Sequence, residues 1–293
     1  MKKKNNLILG FDIGGTKTSL ILGDSEGNII KKTTFPTLAQ NGFKKSYKNI
    51  INNAHAFINN IKDNKLNYNL ISVSIGGPLK IEEGIILNPP NLPGWNKIPL
   101  KKLFEEEFKK PCFIEHDGNA GALAEYYFGA GKGYKNIIFL TMGTGIGAGI
   151  IIDGKIYRGS TDSAGEVGHI RIAEDGPLVY NKKGSYESYA SGSGIAKLAN
   201  YYYPKKYKKN VTAKEVIEDF FNGSKEAKFI INLSAKYLGR GLAILADILN
   251  PEIIIIGSLA VRMGKSLLNP ALKEMKKEAL DLNFKNCKVV PSK

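Results

Sequence analysis

The stretch FDIGGTKTSLILGD at residues 11–24 places an aspartate, two glycines and two threonines between two apolar runs. The apolar runs, at residues 7–11 and 19–22, are typical of β-strands, so the glycines lie at the tip of a hairpin. Glycine lets backbone N–H groups approach an anion closely, and the threonine hydroxyls and the lysine of the tip add further donors. The sequence therefore predicts a phosphate-binding hairpin.

Two other nucleotide-binding motifs do not fit this stretch. A P-loop reads GxxxxGK[ST] and opens a helix, whereas here Thr16 stands between Gly15 and Lys17 and a strand follows. The second glycine-rich segment, GTGIGAG at residues 143–149, runs into the apolar stretch IIID rather than into a helix, so it is not a dinucleotide fingerprint. A glycine tip between two strands remains, either as a simple turn or as a phosphate ligand.

The hairpin arrangement occurs twice along the chain. Residues 28–33 add a third strand after the first hairpin, and from residue 137 the order is again strand, glycine-rich turn, strand, tight turn at Gly154, and strand. The other predicted elements are helices at residues 47–62, 118–129 and 229–249 and strands at residues 70–75, 112–115 and 253–256. The repetition predicts an α/β protein with two related lobes, whose two tips hold one polyphosphate.

The composition is that of an ordinary globular protein. At 293 residues with 43% apolar positions, the chain is long enough for about two domains. Cys112 and Cys287 are the only cysteines, too few for a disulfide framework, which favours a reducing compartment. The apolar run at residues 7–11 is shorter than a secretory signal needs, and no run is long enough to cross a membrane. We therefore expect a cytoplasmic protein with no membrane partner.

The net charge of +15 suggests nucleic acid as one possible partner, because clustered Lys and Arg side chains neutralise phosphates. Here the lysines occur in short pairs, such as Lys44-Lys45 and Lys205-Lys206, among asparagines and acidic residues. Such a distribution is typical of a solvated surface. The sequence therefore predicts no nucleic-acid partner.

Six short motifs follow one another along nearly the whole chain. They are DIGGTKT at residues 12–18, PNLPGW at 90–95, EHDGNAGALAE at 115–125, GTGIGAG at 143–149, GEVGH at 165–169 and IIIIGS at 253–258. In order and spacing they resemble the ROK family of sugar kinases and repressors. The resemblance implies two α/β lobes of the actin-like ATPase (ribonuclease H-like) fold, which close on a cleft and carry a duplicated β-hairpin phosphate-loop unit. We place the N-terminal lobe at residues 1–115 and the C-terminal lobe at residues 116–293.

The resemblance also implies the roles of two aspartates. Asp117 follows a predicted strand and precedes a predicted helix, and by resemblance it is the base that accepts the proton of the sugar hydroxyl. From the residues alone, the favoured interpretation of Asp117 is a helix N-cap. Asp12 is implied to hold Mg²⁺ through water, and otherwise reads as a turn aspartate. His116 departs from the family, many of whose members have asparagine at that position.

The implied ligands of the sugar and of ATP are spread over both lobes. The sugar ligands are Gly77, Asn91, His116, Asp117, Glu166, His169 and Glu187. The ATP and phosphate ligands are Asp12, Gly14, Gly15, Thr16, Lys17, Thr18, Gly143, Thr144, Gly145, Gly257 and Ser258. A carboxylate accepts from two neighbouring sugar hydroxyls, and an imidazole donates or accepts one hydrogen bond. Without the resemblance, a lone histidine is more often structural, and the loop around Asn91 fits a rigid turn equally well.

The chain departs from the family in the loop after the GEVGH motif. Members carry three cysteines there that bind zinc with the motif's histidine, whereas this chain has Leu178, Tyr180 and Ser185 at the corresponding positions. We therefore expect no structural zinc, because these side chains supply no thiolate. Instead, Leu178, Val179 and Tyr180 are expected to form an apolar patch that packs against residues 185–192. Family members also continue beyond the position of Lys293 into a further helix.

The resemblance predicts an ATP- and Mg²⁺-dependent kinase that phosphorylates the 6-hydroxyl of a hexose, as a glucokinase does, and works as a homodimer. N-acetylmannosamine, N-acetylglucosamine and fructose suit the same motifs. A sugar-sensing regulator without catalysis is a second hypothesis, although the family's repressors carry an N-terminal DNA-binding domain for which the residues before Leu7 are too few. A third hypothesis is an actin-like ATPase that acts on protein partners. The GEVGH and PNLPGW motifs favour a sugar ligand instead.

Overall fold

The computed structural model describes residues 7–64 and 66–293, so the basic start of the chain at residues 1–6 lies outside the described residues, as does Lys65. The described chain divides into two compact units. The first extends to Ala120 and includes Arg158–Ser163, and the second comprises Gly121–Tyr157 and Ala164–Lys293. Residues 116–120, which the sequence analysis placed in the second lobe, group with the first unit.

The first unit contains eight of the described strands and begins three of the described α-helices. They are β1 (Ile8–Ile13), β2 (Lys17–Gly23), β3 (Ile29–Pro36), α1 (Gly42–Asp63), β4 (Leu70–Ile75), β5 (Leu79–Lys80), β6 (Ile85–Leu87), β7 (Asn96–Ile98), α2 (Leu100–Phe108), β8 (Cys112–His116) and α3 (Asp117–Phe128), with a 3₁₀ turn at Ala39–Asn41. The main sheet has the order β3-β2-β1-β4-β8, and β5, β6 and β7 form a small antiparallel sheet.

The directions of the strands in the main sheet bring the end of β1 and the start of α3 to the same edge. β1 pairs antiparallel with β2 but parallel with β4, and β4 pairs parallel with β8. Asp12 therefore lies opposite Ser74, which lies opposite Glu115. Because the carboxyl ends of parallel strands meet at one edge, the end of β1 and the β8–α3 junction come together there.

The second unit contains the remaining elements. They are β9 (Ile137–Leu140), β10 (Ala148–Ile152), β11 (Lys155–Tyr157), α4 (Tyr186–Ala190), α5 (Gly192–Tyr202), α6 (Ala213–Phe221), α7 (Lys225–Leu249), β12 (Ile253–Ile256), α8 (Leu259–Met263), α9 (Lys265–Glu278), α10 (Asp281–Asn286) and β13 (Lys288–Pro291), with a 3₁₀ turn at Val167–His169. Its sheet order, β11-β10-β9-β12-β13, repeats that of the first unit in order and direction. The predicted duplication is confirmed.

The predicted elements are present, with some ends displaced. The strands at Leu70–Ile75 and Ile253–Ile256 have the predicted bounds, because each is a short β-branched run that ends at glycine. The predicted helix at residues 229–249 begins four residues earlier at Lys225. The cause is an N-cap, since the Ser224 hydroxyl accepts the N–H of Ala227.

Each unit has its own apolar core. In the first unit Trp95 and Phe104 are fully buried between the helices and the sheet. In the second unit α7 lies at the centre of the core; it is long and apolar enough to cross a membrane, but 61% of that stretch is buried, as in a core helix. The two cysteines are also buried, and burial raises the pKa of Cys112 to about 12 and that of Cys287 to about 11.

The packing of α7 on α9 leads to a prediction about Gly239. A side chain there would overlap the carbonyl oxygen of Ala271 and lie 2.8 Å from Cβ of Glu274. Gly239→Ala should therefore lower the free energy of unfolding by roughly 1–3 kcal/mol through overpacking, although alanine favours a helix more than glycine does. Urea denaturation followed by circular dichroism measures the change. Lys228→Ala, on the exposed face of α7, is the control, and equal stability of both variants would contradict the packing.

Candidate active site

The first glycine tip closes β1 onto β2 in a tight turn. The N–H of Gly14 donates to the carbonyl of Lys17 at 3.0 Å, and the Thr37 hydroxyl donates to the carbonyl of Gly14 at 2.6 Å. Gly14, Thr16 and Lys17 are exposed, so the tip offers backbone and side-chain donors to solvent. Thr18 is buried, and its hydroxyl lies 2.9 Å from that of Thr37. Thr18 therefore supports the tip from beneath.

The loop around Asn91 packs directly against this tip. A side chain at Gly15 would overlap the Asn91 carbonyl oxygen, so the close approach requires glycine. The loop is anchored by Leu92 and Trp95, which are buried, and the Trp95 indole N–H donates to the Ser46 hydroxyl at 3.0 Å. The first unit thus places a predicted sugar ligand, the exposed Asn91, beside a predicted phosphate tip.

Asp117 is the first residue of α3 and directly follows β8. Its Oδ1 accepts the N–H of Gly118 at 2.7 Å and lies 3.3 Å from Nδ1 of His116. Its Oδ2 faces Gly76, where an added Cβ would lie 4.0 Å away. The Asp117 side chain is still 51% exposed. One carboxylate oxygen is therefore fixed while the group stays accessible to a ligand.

His116 lies next to the glycine pair that follows β4. An added Cβ at Gly77 would lie 2.8 Å from Cδ2 and 3.0 Å from Nε2 of His116, whose side chain is only 16% exposed. The absence of a side chain at Gly77 therefore makes room for the imidazole ring. Two predicted sugar ligands, Gly77 and His116, are in contact through this close approach.

Asp12 lies at the same sheet edge as Asp117. Although solvent reaches Asp12, the surrounding protein atoms partly desolvate its carboxylate and raise its pKa, and the negative charge of Asp117 raises the pKa further. Two neighbouring carboxylates that repel each other suit a divalent cation, and Mg²⁺ prefers carboxylate and water oxygens. The residues present here therefore fit magnesium.

A largely buried ion pair supports the turn at Asp117, and the sequence analysis missed it. Nε and Nη2 of Arg158 lie 3.1 and 2.6 Å from Oε2 of Glu115. Oε1 of Glu115 accepts the backbone N–H of His116 at 3.1 Å and the side-chain amide of Asn119 at 2.8 Å. Both oxygens of Glu115 are thus engaged, and they fix the chain on either side of Asp117.

The second glycine tip, in the second unit, is held by the start of α5. Within the tip, the N–H of Gly143 donates to the carbonyl of Gly145 at 3.0 Å. The N–H groups of Gly192 and Ser193 donate to the carbonyls of Gly143 and Thr144 at 2.8 and 3.0 Å. The sequence analysis did not identify these two residues. The tip is therefore fixed against a helix N-terminus, whose partial positive charge favours an anion.

The turn after β12 lies beside the second tip. The N–H of Gly257 donates to the Leu140 carbonyl at 2.9 Å, which extends the pairing of β12 with β9. An added Cβ at Gly143 would lie 3.7 Å from the Ser258 hydroxyl. The predicted adenosine-side turn and the predicted phosphate tip are therefore adjacent within the second unit.

The GEVGH motif also packs against the second tip. Gly165 has a left-handed backbone with φ of 95°, which glycine adopts without strain. A Cβ at Gly168 would lie 2.5 Å from the carbonyl oxygen of Ile146, a residue of the tip. The glycines let the motif approach the tip closely and leave Glu166 and His169 exposed.

Glu187, on α4, joins the tip to the loop that follows the GEVGH motif. Its Oε2 accepts the N–H of Ile146 at 3.1 Å and the hydroxyl of Tyr180 at 2.8 Å. The Tyr180 ring stacks on the imidazole of His169, with centroids 3.6 Å apart and planes 20° apart. Burial and the Glu187 carboxylate both raise the pKa of Tyr180, so its hydroxyl stays a donor near neutral pH.

The expected apolar patch in this loop forms only in part. Val179 is buried, but Leu178 is 63% exposed and Tyr180 is 38% exposed. Ser185 is buried and caps α4 by accepting the N–H of Ser188. In the part of the chain that the structure describes, no cluster of three or more His, Cys, Asp or Glu side chains is placed to hold a metal. Because Leu178, Tyr180 and Ser185 supply no thiolate, the loop does not fit the zinc site that the family implies.

Each unit thus brings part of the predicted site together. In the first unit these residues are Asp12, Gly14, Gly15, Thr16, Lys17, Gly77, Asn91, His116 and Asp117, with Thr18 beneath them. In the second unit they are Gly143, Thr144, Gly145, Glu166, His169, Glu187, Gly257 and Ser258. The first set contains both aspartates of the predicted site, and the second contains a predicted phosphate tip with the remaining predicted sugar ligands.

Comparisons with known proteins identify the family of the chain. The sequence profile of the ROK family matches residues 8–293. The chain is 34% identical to a glucokinase from Halalkalibacterium halodurans over 287 residues, which cover 93% of this chain and 86% of that protein. It is also 34% identical to a xylose repressor from Caldicellulosiruptor bescii over 233 residues, which cover 76% of this chain and 58% of the repressor.

Among solved structures, a ROK family glucokinase from Streptomyces griseus, in complex with glucose and AMPPNP, has a TM-score of 0.81 and 28% identity to this chain. The match covers 98% of this chain and 94% of that protein. The similarity therefore includes both α/β units and their mixed five-stranded sheets. On the evidence of the profile, the relatives and the fold, the chain belongs to the ROK family and has the actin-like ATPase fold.

Proposed function

We propose that the chain is an ATP-dependent kinase that phosphorylates the 6-hydroxyl of a hexose, with glucose as its substrate. The observation that carries the proposal is the Asp117 carboxylate, held through Oδ1 yet 51% exposed at the sheet edge beside Asp12. A base that is anchored but accessible suits proton acceptance from a bound hydroxyl. Similarity over most of the chain to glucokinases supports the same conclusion.

In this proposal Asp117 acts mainly by orientation. Phosphoryl transfer passes through a loose transition state in most analyses, so positioning and charge neutralisation supply most of the rate. The Gly118 N–H and the Glu115 network fix the backbone and Oδ1, which leaves Oδ2 to accept the proton of the 6-hydroxyl. The sugar oxygen then attacks the γ-phosphorus, and the bond from that phosphorus to the bridging oxygen of ADP breaks.

The phosphates of ATP are proposed to bind to the two glycine tips. The tips offer backbone N–H groups, the Thr16 and Thr144 hydroxyls and the Lys17 ammonium group. Gly257 and Ser258 are proposed to lie on the adenosine side. Asp12 would hold Mg²⁺ through water, and the cation when bound neutralises charge on the phosphate oxygens.

The sugar is proposed to bind to residues from both units. Asn91, His116 and the backbone at Gly77 belong to the first unit, and Glu166, His169 and Glu187 belong to the second. Carboxylates accept hydrogen bonds from sugar hydroxyls, so they favour a polyhydroxylated ligand over an apolar one. A homodimeric state and a location in the cytoplasm are part of the same proposal.

A sugar-sensing regulator is the second candidate, because the xylose repressor has the same identity to this chain as the glucokinase, 34%, although over a shorter part of it. Both activities need the sugar ligands, but only a kinase needs the anchored carboxylate of Asp117. An assay of ADP release with glucose, fructose, mannose, xylose, N-acetylglucosamine and N-acetylmannosamine tests the proposal. We expect the largest kcat/KM for glucose. Sugar binding without ADP release would favour the regulator, and a higher kcat/KM for an N-acetylhexosamine would change the substrate.

The role of Asp117 leads to a prediction about catalysis. Asp117→Asn keeps the shape of the side chain but removes the base, so kcat should fall by roughly 100-fold or more while the sugar still binds. Steady-state kinetics and calorimetry with the best sugar of the panel measure both quantities. Asp63→Asn, on the exposed end of α1, is the matched control. Turnover by Asp117→Asn close to that of the parent would remove Asp117 from this role.

The loop after GEVGH leads to a prediction about metal content. Leu178, Tyr180 and Ser185 supply no thiolate, so the purified protein should contain no stoichiometric zinc. Its activity should survive a zinc-selective chelator when Mg²⁺ is in excess. Removal of Mg²⁺ from a parallel sample should abolish activity, which shows that the assay detects metal loss. Elemental analysis that finds one tightly bound zinc per chain would overturn this prediction.

A further inference from the structure

Tyr180 occupies an unusual position in a tight turn of the second unit. Val179 and Lys182 pair in antiparallel fashion, with hydrogen bonds of 3.0 and 3.1 Å in the two directions. The two residues between them, Tyr180 and Asn181, both have φ of 56°. Two-residue turns with two left-handed residues favour asparagine, aspartate and glycine. The left-handed backbone disfavours a bulky side chain at the first of these positions. The presence of tyrosine at residue 180 must therefore be explained by the contacts of its side chain.

The side chain of Tyr180 contacts two of the predicted sugar ligands at the same time. Its ring stacks on His169 at a centroid distance of 3.6 Å, and its hydroxyl donates to Oε2 of Glu187 at 2.8 Å. The same turn contacts the backbone of His169, because Nζ of Lys182 donates to the His169 carbonyl. The turn therefore fixes the position of His169 both by its ring and by its backbone.

The contacts of Tyr180 leave one carboxylate oxygen of Glu187 and the ring nitrogens of His169 available to a ligand. Oε2 of Glu187 accepts from Tyr180 and from the N–H of Ile146. Within residues 7–64 and 66–293, no donor reaches Oε1 of Glu187 and no hydrogen bond engages a ring nitrogen of His169. The stack holds the imidazole by its face, so its edge stays open. Such an arrangement presents one carboxylate oxygen and one imidazole edge to a polyhydroxylated ligand.

We propose that Tyr180 is a positioning residue that holds His169 and Glu187 in the arrangement that binds the sugar. This proposal rests on the proposed function, because it takes a hexose as the ligand. Tyr180 acts through its two partners and takes no part in phosphoryl transfer. Its loss should weaken sugar binding and leave ATP binding and kcat almost unchanged.

Three variants distinguish the effect of the two side-chain contacts of Tyr180 from the effect of its backbone conformation in the turn. Tyr180→Phe keeps the stack and removes the hydroxyl. Tyr180→Asn removes the stack but suits the left-handed backbone better, so the turn itself should not be weakened. Leu178→Ala, in the same loop and 63% exposed, is the matched control.

We expect the KM and Kd for glucose to rise about fivefold in Tyr180→Phe, because Glu187 keeps its second donor, Ile146. In Tyr180→Asn they should rise roughly 30-fold or more, because both ligands lose their support. The KM for ATP and kcat should stay within about twofold of the parent in every variant. The thermal midpoint of Tyr180→Asn should equal or exceed that of the parent.

A spectroscopic measurement tests the arrangement without sugar or turnover. The chain has three histidines, His55, His116 and His169, so their imidazole proton signals can be assigned by single substitutions. The ring current of Tyr180 should shift the His169 signals upfield in the parent and in Tyr180→Phe. The shift should disappear in Tyr180→Asn, while the signals of the other two histidines stay in place.

The outcomes distinguish this proposal from the proposed function. A parent chain that binds and phosphorylates no sugar would refute the proposed function, while the His169 signals would still decide whether Tyr180 stacks there. Unshifted His169 signals in the parent would overturn the proposal. Glucose Kd values within about twofold of the parent in both Tyr180 variants would overturn it as well. So would a Tyr180→Asn variant that loses stability together with affinity, since that result indicates a structural role alone.

Discussion

The parallel pairing of β4 with both β1 and β8 is the constraint on which the first unit depends. This pairing fixes Asp12, Ser74 and Glu115 in one row, and each strand then ends at the same edge of the sheet. A shift of one residue in either pairing would reverse which side chains face the core, so the buried apolar faces hold the register. The positions of Asp12 and Asp117 therefore follow from the hydrophobic core, and the nearness of the two carboxylates costs stability that this core must offset.

In the second unit, the arrangement depends on glycines that let neighbouring segments approach the backbone of the second tip closely. Gly168 lies against the carbonyl of Ile146, and Gly192 lies against the carbonyl of Gly143. Any side chain at either glycine would push a neighbouring segment away from the tip. The GEVGH motif and the start of α5 can therefore meet the tip only because both carry glycine where they contact it. The N–H of Ile146 also donates to Glu187, so the tip is joined to α4 as well.

The sequence predicted those features that depend on residues close to one another in the chain. Both glycine tips, the strand at Leu70–Ile75 and the duplication are local patterns of apolar runs and turns. The contact of Arg158 with Glu115 spans 43 residues and joins separate elements, so no spacing rule reveals it. The burial of Thr18 was missed for a similar reason, because Thr37 comes from beyond the next strand. Tyr180 was noted for a missing cysteine and as part of an apolar patch. Its contacts with His169 depend on a turn that its own residue type disfavours.

The two units carry different parts of the proposed site, which suits a fold that kinases and repressors share. Glu166, His169 and Glu187 belong to the second unit. Asp117 belongs to the first unit, where Glu115 and Arg158 support the turn beside it. In the proposed function, loss of the Asp117 carboxylate would therefore remove proton acceptance without disturbing the packing around His169 and Glu187. Sequence identity reports mainly on that packing, and a glucokinase and a xylose repressor are each 34% identical to this protein, over 93% and 76% of its length. Function in this family must accordingly be judged from the few side chains at the sheet edge, where the proposed function assigns proton acceptance to Asp117.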